Sequence, residues 1–489
     1  MKVTEHPPYA PALMESTRAI GYSLEAAISD IIDNSISAFA KIVCVDYFPT
    51  HDLGPYISIL DDGTGMSEDH LQEAMRYGCQ NPNDVRDPND LGRYGLGLKT
   101  ASLSQCRNLI VLTKQNGIIY GRSWDLDYVK EHNSWALLIL EHEDMISLPG
   151  YEKLEKMEHG TLVLWQNLDK LFIGESDPKN ALGKKMSPVR EHLALVFHRY
   201  LTGEPGLKKV ELLINNRQVE PANPFLSGKN TQLMDEEVID IHGEKVIIKP
   251  FILPHISKLT KNEIDMLGGK DGLRRQQGFY VYRNKRLLVW GTWFRLMRKG
   301  DLSKLARVQV DIPNSLDDLW TLDVKKSTAI PPEEVRKNLS LIINKITDGS
   351  KRTWTYRGKK EIRDPENKLW NRMILRDKGI SYEINTAHPL IEELFSSCPN
   401  KKRLLQSLFL QLQGNLPLNQ LYVDLTNDEK IANESSISEE NILKLLISSL
   451  EGIDSLKKRE ELLEILKKTE PFCEYIEVID KAVERGELP

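Results

Sequence analysis

Asp30, Asp33 and Asn34 sit within one short apolar-polar run, Asp61-Asp62-Gly63-Thr64-Gly65-Met66 follows, and a glycine-rich run from Gly92 to Thr100 comes third. Each group offers a definite chemistry. A positioned carboxylate polarises an attacking water, and an amide oxygen near it is a hard ligand suited to Mg²⁺. A carboxylate at a strand end accepts a hydrogen bond from the exocyclic amine of adenine. A glycine-rich run entering a helix holds phosphates on its backbone N–H groups. Alone, each segment has an ordinary explanation: a polar face of a surface helix, an Asp-Asp-Gly turn, or a loop of small residues. In this order and spacing they describe an ATP pocket that is not a P-loop.

These residues need particular elements to hold them. Ser23 is placed to cap a helix. At about 100° per residue, Leu24, Ile28, Ile31, Ile32 and Phe39 fall on one arc, and Asp30, Asp33, Asn34 and Ser37 on another. Asp30 and Asn34, one turn apart, share a face and reach one ligand: Asp30 as the water-polarising carboxylate, Asn34 as the Mg²⁺ ligand. Tyr56 to Leu60 reads as a buried strand with Asp61 at its end. Gly63 and Gly65, followed by Met66, leave room there for a ring or for unusual backbone angles. The third run is Gly92, Arg93, Tyr94, Gly95, Leu96, Gly97, Leu98, Lys99 and Thr100. It enters a helix near Leu98, with Lys99 placed to help cradle phosphates. It is not a Walker A loop, because Leu98 separates Gly97 from Lys99. Nor is it a dinucleotide fingerprint, because Thr100 stands where the last glycine belongs.

Together the three segments resemble the N, G1 and G2 boxes of the GHKL ATPases, the superfamily of gyrase B, ninety-kilodalton heat-shock chaperones, histidine kinases and MutL-type repair proteins. His159-Gly160-Thr161-Leu162-Val163-Leu164-Trp165 resembles the late strand whose threonine, here Thr161, closes the adenine pocket. The family usually has Glu where Asp30 stands, so the carboxylate is one methylene shorter. Within the superfamily the chain is most similar to bacterial MORC-like ATPases. The likeness rests on Asp33-Asn34-Ser35-Ile36, on Gly92 to Ala101, on Gly278 to Leu287 and on Trp320 to Ser327, and covers about residues 18 to 330.

The resemblance implies an α+β protein: a GHKL (Bergerat) α/β sandwich over 1–182, a ribosomal-protein-like β-α transducer over 183–335, and a mostly helical region over 336–489. The first domain is expected to carry its helices on one face of a mixed sheet, with the turn-rich stretch from Tyr77 to Leu91 as a lid. The resemblance further implies ATP and Mg²⁺ as cofactors and an ATP-dependent homodimer. It also implies a transducer lysine, Lys326 or its neighbour Lys325, returned to the γ-phosphate. Bacterial MORC-like ATPases imply restriction-type or antiphage defence beside separate nuclease or methyltransferase subunits.

Composition bounds these readings. The chain has 489 residues, 40% hydrophobic and 28% charged, with a formal net charge of −6, which suits a globular protein of two or three domains. No apolar run reaches the length of a membrane span and no secretory leader is evident, so a cytoplasmic location is expected. The five cysteines, Cys44, Cys79, Cys106, Cys398 and Cys473, are scattered and lack zinc spacing. Between Arg274 and Lys299 there are eight basic residues and no acidic one, interleaved with Tyr280, Tyr282, Trp290, Trp293 and Phe294. That composition suits DNA backbone contacts with base stacking, or else solvated basic faces of ordinary elements.

From Pro331 onward, Glu333 to Ile346 and Ser438 to Leu466 carry helical periodicity. A histidine-type protein kinase is not expected, because the first box begins near residue 30. A strand-passage enzyme is not expected, because there is no room for a full strand-passage apparatus, nor is a MutL-type nuclease, since the last third has no His/Cys/Glu cluster. Two classes remain: an ATP-driven clamp or switch, and a nucleotide-binding or chaperone-like module without nucleic-acid contact.

Overall fold

The structure, a computed structural model, describes residues 3, 6, 8–19, 21–77, 91, 97–175, 177–227, 231–255, 258–300, 303–317, 319–322, 329–355, 368–374, 380–397, 401–417, 439–450, 456–469 and 471–486. It divides into two compact units, Met1–Tyr356 and Arg357–Pro489.

The first sheet of unit one has eight strands in the order β5-β4-β3-β6-β2-β1-β7-β8. They are β1 (Ile42–Phe48), β2 (Tyr56–Asp61), β3 (Asn108–Gln115), β4 (Ile118–Asp125), β5 (Leu138–Leu140), β6 (Gly160–Gln166), β7 (Glu211–Ile214) and β8 (Arg217–Gln218). Every pairing is antiparallel except β1 with β7. The tight β3–β4 connection is Asn116-Gly117, both at positive φ, as a two-residue hairpin requires.

One sheet face carries a helical layer of α1 (Ala10–Arg18), α2 (Leu24–Ser37), α3 (Glu68–Met75), α4 (Gly97–Gln105) and α5 (Leu126–His132), with α8 (Pro178–Val196) and α9 (His198–Thr202) added later in the chain. Ile28 and Ile31 of α2, Leu103 of α4 and Val189 and Leu193 of α8 pack with Val45, Ile57, Ile59 and Val111 of the strands. Burial of each such side chain contributes about 1.5–3 kcal/mol. Helices were expected on one face only. The opposite face instead carries α6 (His142–Ile146) and α7 (Tyr151–Lys156), whose Met145, Tyr151 and Leu154 cover Leu60, Leu112, Leu162 and Leu164. Covering from both sides explains why every residue of β2, Ser58 and Asp61 included, is buried.

The second sheet runs β10-β11-β14-β12-β13, with β9 added beside β11. Its strands are β9 (Gln232–Leu233), β10 (Glu237–Ile241), β11 (Glu244–Ile252), β12 (Gly278–Arg283), β13 (Arg286–Thr292) and β14 (Ala306–Ile312), with α10 (Lys261–Met266) and α11 (Gly269–Arg275) inserted before β12. A small ladder joins β15 (Thr321–Leu322) to β16 (Ala329–Ile330). One face of the second sheet packs on α12 (Glu333–Thr355) through Val335, Leu339, Ile342 and Ile346. The other buries Tyr280, Tyr282 and Leu287 with Phe225, and Leu195 of α8 packs against them.

Unit two contains a hairpin of β17 (Trp370–Ile374) and β18 (Ile380–Ile384), then α13 (Pro389–Ser397), α14 (Lys402–Gly414), α15 (Glu439–Leu450), α16 (Leu456–Leu466) and α17 (Ile476–Glu484). Ile442, Leu446 and Leu450 of α15 form its core with Leu466, Phe472 and Ile479. The helical periodicity from Ser438 to Leu466 thus resolves into two helices. Among the described residues no helix is long and apolar enough to cross a membrane.

Candidate active site

Ser23 caps α2 by accepting from the Ala26 N–H, and the apolar arc Leu24, Ile28, Ile31 and Ile32 is buried as expected. Phe39 departs from that arc. The helix ends at Ser37, so Phe39 takes a positive φ of 62° and remains 53% exposed.

The polar arc splits in two. Asp30 is nearly buried, its Oδ2 accepts a hydrogen bond from Tyr22 Oη at 3.2 Å, and Asn34 on the next turn is exposed. A Cβ added at Gly97, the first residue of α4, would lie 3.7 Å from Asp30 Oδ2, so the carboxylate faces the N-terminus of that helix. Asp33 faces elsewhere. It is 1% exposed and pairs with Arg286 of β13, whose Nε lies 3.2 Å from its Oδ1.

Asp61 ends β2 and points inward, held by three donors. Ser35 Oγ donates to Oδ2 at 2.7 Å and the Gly63 N–H to Oδ1 at 2.9 Å, and the Thr161 N–H also favours the charged form. Burial nevertheless dominates and pushes the carboxyl up to about 6. Thr161 stands opposite Asp61 in the β2–β6 register, and its hydroxyl lies 3.1 Å from that of Thr113. Thr113 Oγ1 in turn accepts from the Met66 N–H at 2.9 Å. Gly65 has φ +65°, and a Cβ there would sit 2.0 Å from the Lys114 carbonyl oxygen. His159 Nδ1 donates to the Gly63 carbonyl at 2.6 Å. The strand ends of β2, β3 and β6 therefore converge on one carboxylate, and the Asp61-Asp62-Gly63-Thr64-Gly65 turn is built of backbone pressed against backbone.

Asp30, Asn34, Asp61, Gly63, Gly65, Met66 and Thr161 all lie on α2 or at the β2–β6 strand ends that Ser35 ties to it. Gly97, Leu98, Lys99 and Thr100 open α4, with Lys99 and Thr100 buried. The Lys99 Nζ donates to the Ala74 carbonyl of α3 at 2.8 Å. Gly92, Arg93, Tyr94, Gly95 and Leu96, and the lysines 325 and 326, lie outside the described residues, as does 78–90 of the lid stretch. Of that stretch, Tyr77 packs between Trp124 and Trp135, and the Leu91 N–H donates to Ser37 Oγ at 3.2 Å.

Sequence reasoning passed over Tyr22, Ser35 and Thr113, which orient the three named groups. Ser35 was the findable one, adjacent to Asn34 and on the helix face toward the sheet.

The basic-aromatic stretch from Arg274 to Lys299 divides between buried and exposed residues. Tyr280, Tyr282 and Trp293 are core residues with at most 2% exposure, and Arg283 and Arg286 are buried in ion pairs with Asp317 and Asp33. These three rings are therefore not offered to bases, whereas Trp290 and Phe294 are half-buried. Arg274, Arg275, Arg295, Arg298 and Lys299 are the exposed basic residues of the stretch.

Residues 22–161 match the family described as Histidine kinase-, DNA gyrase B-, and HSP90-like ATPase. ATPase morc-1 of Caenorhabditis elegans is 30% identical over 94 residues, which is 19% of this chain and 10% of that protein. Protein MICRORCHIDIA 6 of Arabidopsis thaliana is 26% identical over 143 residues, 27% of this chain and 21% of that protein. The aligned parts thus span about a fifth or less of these relatives. The solved structure of the N terminal domain of a DNA repair protein superposes with a TM-score of 0.43 and 16% identity, covering 70% of this chain and 98% of that one. With the match falling on the segment that holds Asp30, Asn34, Asp61 and Thr161, the chain carries a GHKL-type ATPase domain over residues 22–161 and has MORC ATPases among its relatives at modest identity.

Proposed function

We propose that the chain is an ATP-dependent switch or clamp that binds ATP with Mg²⁺, hydrolyses it slowly and dimerises in the ATP-bound state. The observation that carries the nucleotide reading is the Asp61 carboxylate, buried at the end of β2 and fastened by Ser35, Gly63 and Thr161. A buried carboxylate held so rigidly suits a single donor such as the adenine amine. Asp30 on the facing helix is the carboxylate that orients the water, and exposed Asn34 is the amide that would hold Mg²⁺, which would help neutralise the phosphates. Mg²⁺ bound in this way retains waters and needs no cage of protein carboxylates.

The second sheet serves as the transducer, with Lys326 or Lys325 returned to the γ-phosphate. In the defence setting that the MORC-like resemblance implies, the clamp works beside nuclease or methyltransferase subunits. Sedimentation tests the switch. A non-hydrolysable ATP analogue should convert a monomer into a species of twice its mass by two-fold pairing, and a monomer in both conditions would exclude the clamp.

DNA contact falls to the exposed arginines and not to the buried rings of Tyr280, Tyr282 and Trp293. Changing Arg274, Arg275 and Arg298 to Ala should flatten the salt dependence of duplex DNA binding by about 0.9 in log–log slope for each phosphate no longer neutralised, and leave ATP affinity unchanged. An unaltered slope would assign the partner role to a protein.

A further inference from the structure

The β12–β13 hairpin turns in two residues, Asn284 and Lys285, at φ 48° and 68°, the tight geometry of a primed turn. The two arginines flanking that turn both leave their own sheet. Arg286 reaches α2 and pairs with buried Asp33, three residues after Asp30 and one before Asn34. Arg283 holds Asp317 through Nε and Nη2 at 2.7–2.9 Å, and its Nη1 donates to the Leu91 carbonyl at 3.0 Å.

Leu91 directly precedes the glycine-rich run and is itself 2% exposed. Its N–H is held by Ser37 of α2, so one residue is gripped from α2 on one side and from the second sheet on the other. Tyr200 of α9 fixes the same turn by donating to the Asn284 carbonyl at 2.6 Å. Two guanidinium groups flanking one short turn therefore set both the helix that bears Asp30 and Asn34 and the residue that precedes the glycine-rich run.

Burying two arginines of a strand hairpin is costly unless each is paired, and each has its carboxylate here. Core packing alone does not require an arginine to cross to the backbone of Leu91. We propose that Arg283 and Arg286 are positioning residues of the ATPase site, which hold α2 and Leu91 in register with the second sheet so that nucleotide binding at one is felt at the other. This rests on the ATPase reading above. A displacement of about 1 Å at a reacting group costs up to about 100-fold in rate, and removing one of these guanidinium groups is enough to release such a displacement.

Arg283→Gln and Arg286→Gln should each bind a non-hydrolysable ATP analogue within about threefold of wild type and hydrolyse ATP about 10–100-fold more slowly. Amide hydrogen exchange supplies a readout that does not need turnover. In wild type the analogue should slow exchange in both 24–37 and 278–292, whereas in the variants only 24–37 should slow. Wild-type kcat in either variant overturns the proposal, as does a wild-type chain that binds the analogue with no change in 278–292. Failure of the analogue to bind wild type at all, seen as no protection anywhere, overturns the ATPase reading and this inference with it. Should a single variant fail to fold, Asp33→Asn/Arg286→Gln removes both buried charges together. The same slow kcat at unchanged affinity is expected of it, and a wild-type kcat overturns the role of the pair.

Discussion

Asp30→Asn should hydrolyse ATP about 10²–10⁴-fold more slowly than the wild-type chain while binding it with nearly the same affinity. The substitution keeps the shape of a side chain that is 5% exposed and preserves an oxygen able to accept from Tyr22 Oη. What it removes is the second carboxylate oxygen as a proton acceptor for water. Because a buried charge is also removed, the fold should not suffer. Single-turnover hydrolysis with excess enzyme is the measurement, since it isolates chemistry from product release. Tyr22→Phe offers a graded companion: it frees one oxygen of a fixed hydrogen bond and should change the rate by several-fold only. If Asp30→Asn turns over as wild type does, the water is oriented elsewhere, and the alternative of a nucleotide-binding module with little turnover gains the ground. Exposed Asn34 then remains to be tested separately: Asn34→Ala should weaken binding only when Mg²⁺ is present.

Asp61→Ala should weaken ATP binding by at least 10–100-fold, because the adenine amine loses its acceptor and the Ser35 hydroxyl and Gly63 N–H lose theirs. The same carboxylate gives the site a pH dependence of definite sign. Its folded-state value, pushed up to about 6, lies above the ordinary 3.8. It therefore favours the folded nucleotide-free chain below about pH 4, and that contribution is lost as pH rises through about 6. At neutral pH the ionised group is retained at a cost of roughly 3 kcal/mol. Adenine binding requires the ionised form and supplies a donor to it. ATP affinity should thus fall as pH drops below about 6, approaching tenfold per unit, and binding near pH 6 should release protons. Calorimetry in buffers of different ionisation enthalpy reads that release directly. GTP, which presents a carbonyl in place of the amine, should compete poorly, and equal affinity for ATP and GTP would count against this pocket.

What the residues disclosed beforehand was local. Ser23 as a cap, the apolar arc from Leu24 to Ile32 and the strand ending in Asp61 follow from hydrogen bonding and periodicity within a few residues, and the structure has them there. What they concealed was non-local. Nothing in the polar arc of α2 distinguishes Asp33 from Asp30, because the difference is Arg286, 253 positions away in the chain. The same holds for Lys99, whose Nζ donates to a backbone carbonyl of α3. Tyr280, Tyr282 and Trp293 looked like a stacking surface because composition cannot tell a strand covered on both faces from one open to solvent. The second helical layer was missed for a related reason: α6 and α7 are short, and five or six residues carry too little periodicity to announce a buried face.

The parallel pairing of β1 with β7 bears on how the chain is made and where it can be cut. Ile42 to Val45 receive their outer partners, Glu211 to Ile214, only after some 170 further residues of sequence. On the ribosome, six of the eight strands would emerge with that edge still bare. A bare edge of apolar residues invites pairing with another nascent chain, and so distant a parallel closure is intrinsically slow. A fragment stopped near residue 182 would carry the same defect permanently. A fragment extended through β8 at Gln218, and so including α8 and α9, would close that edge.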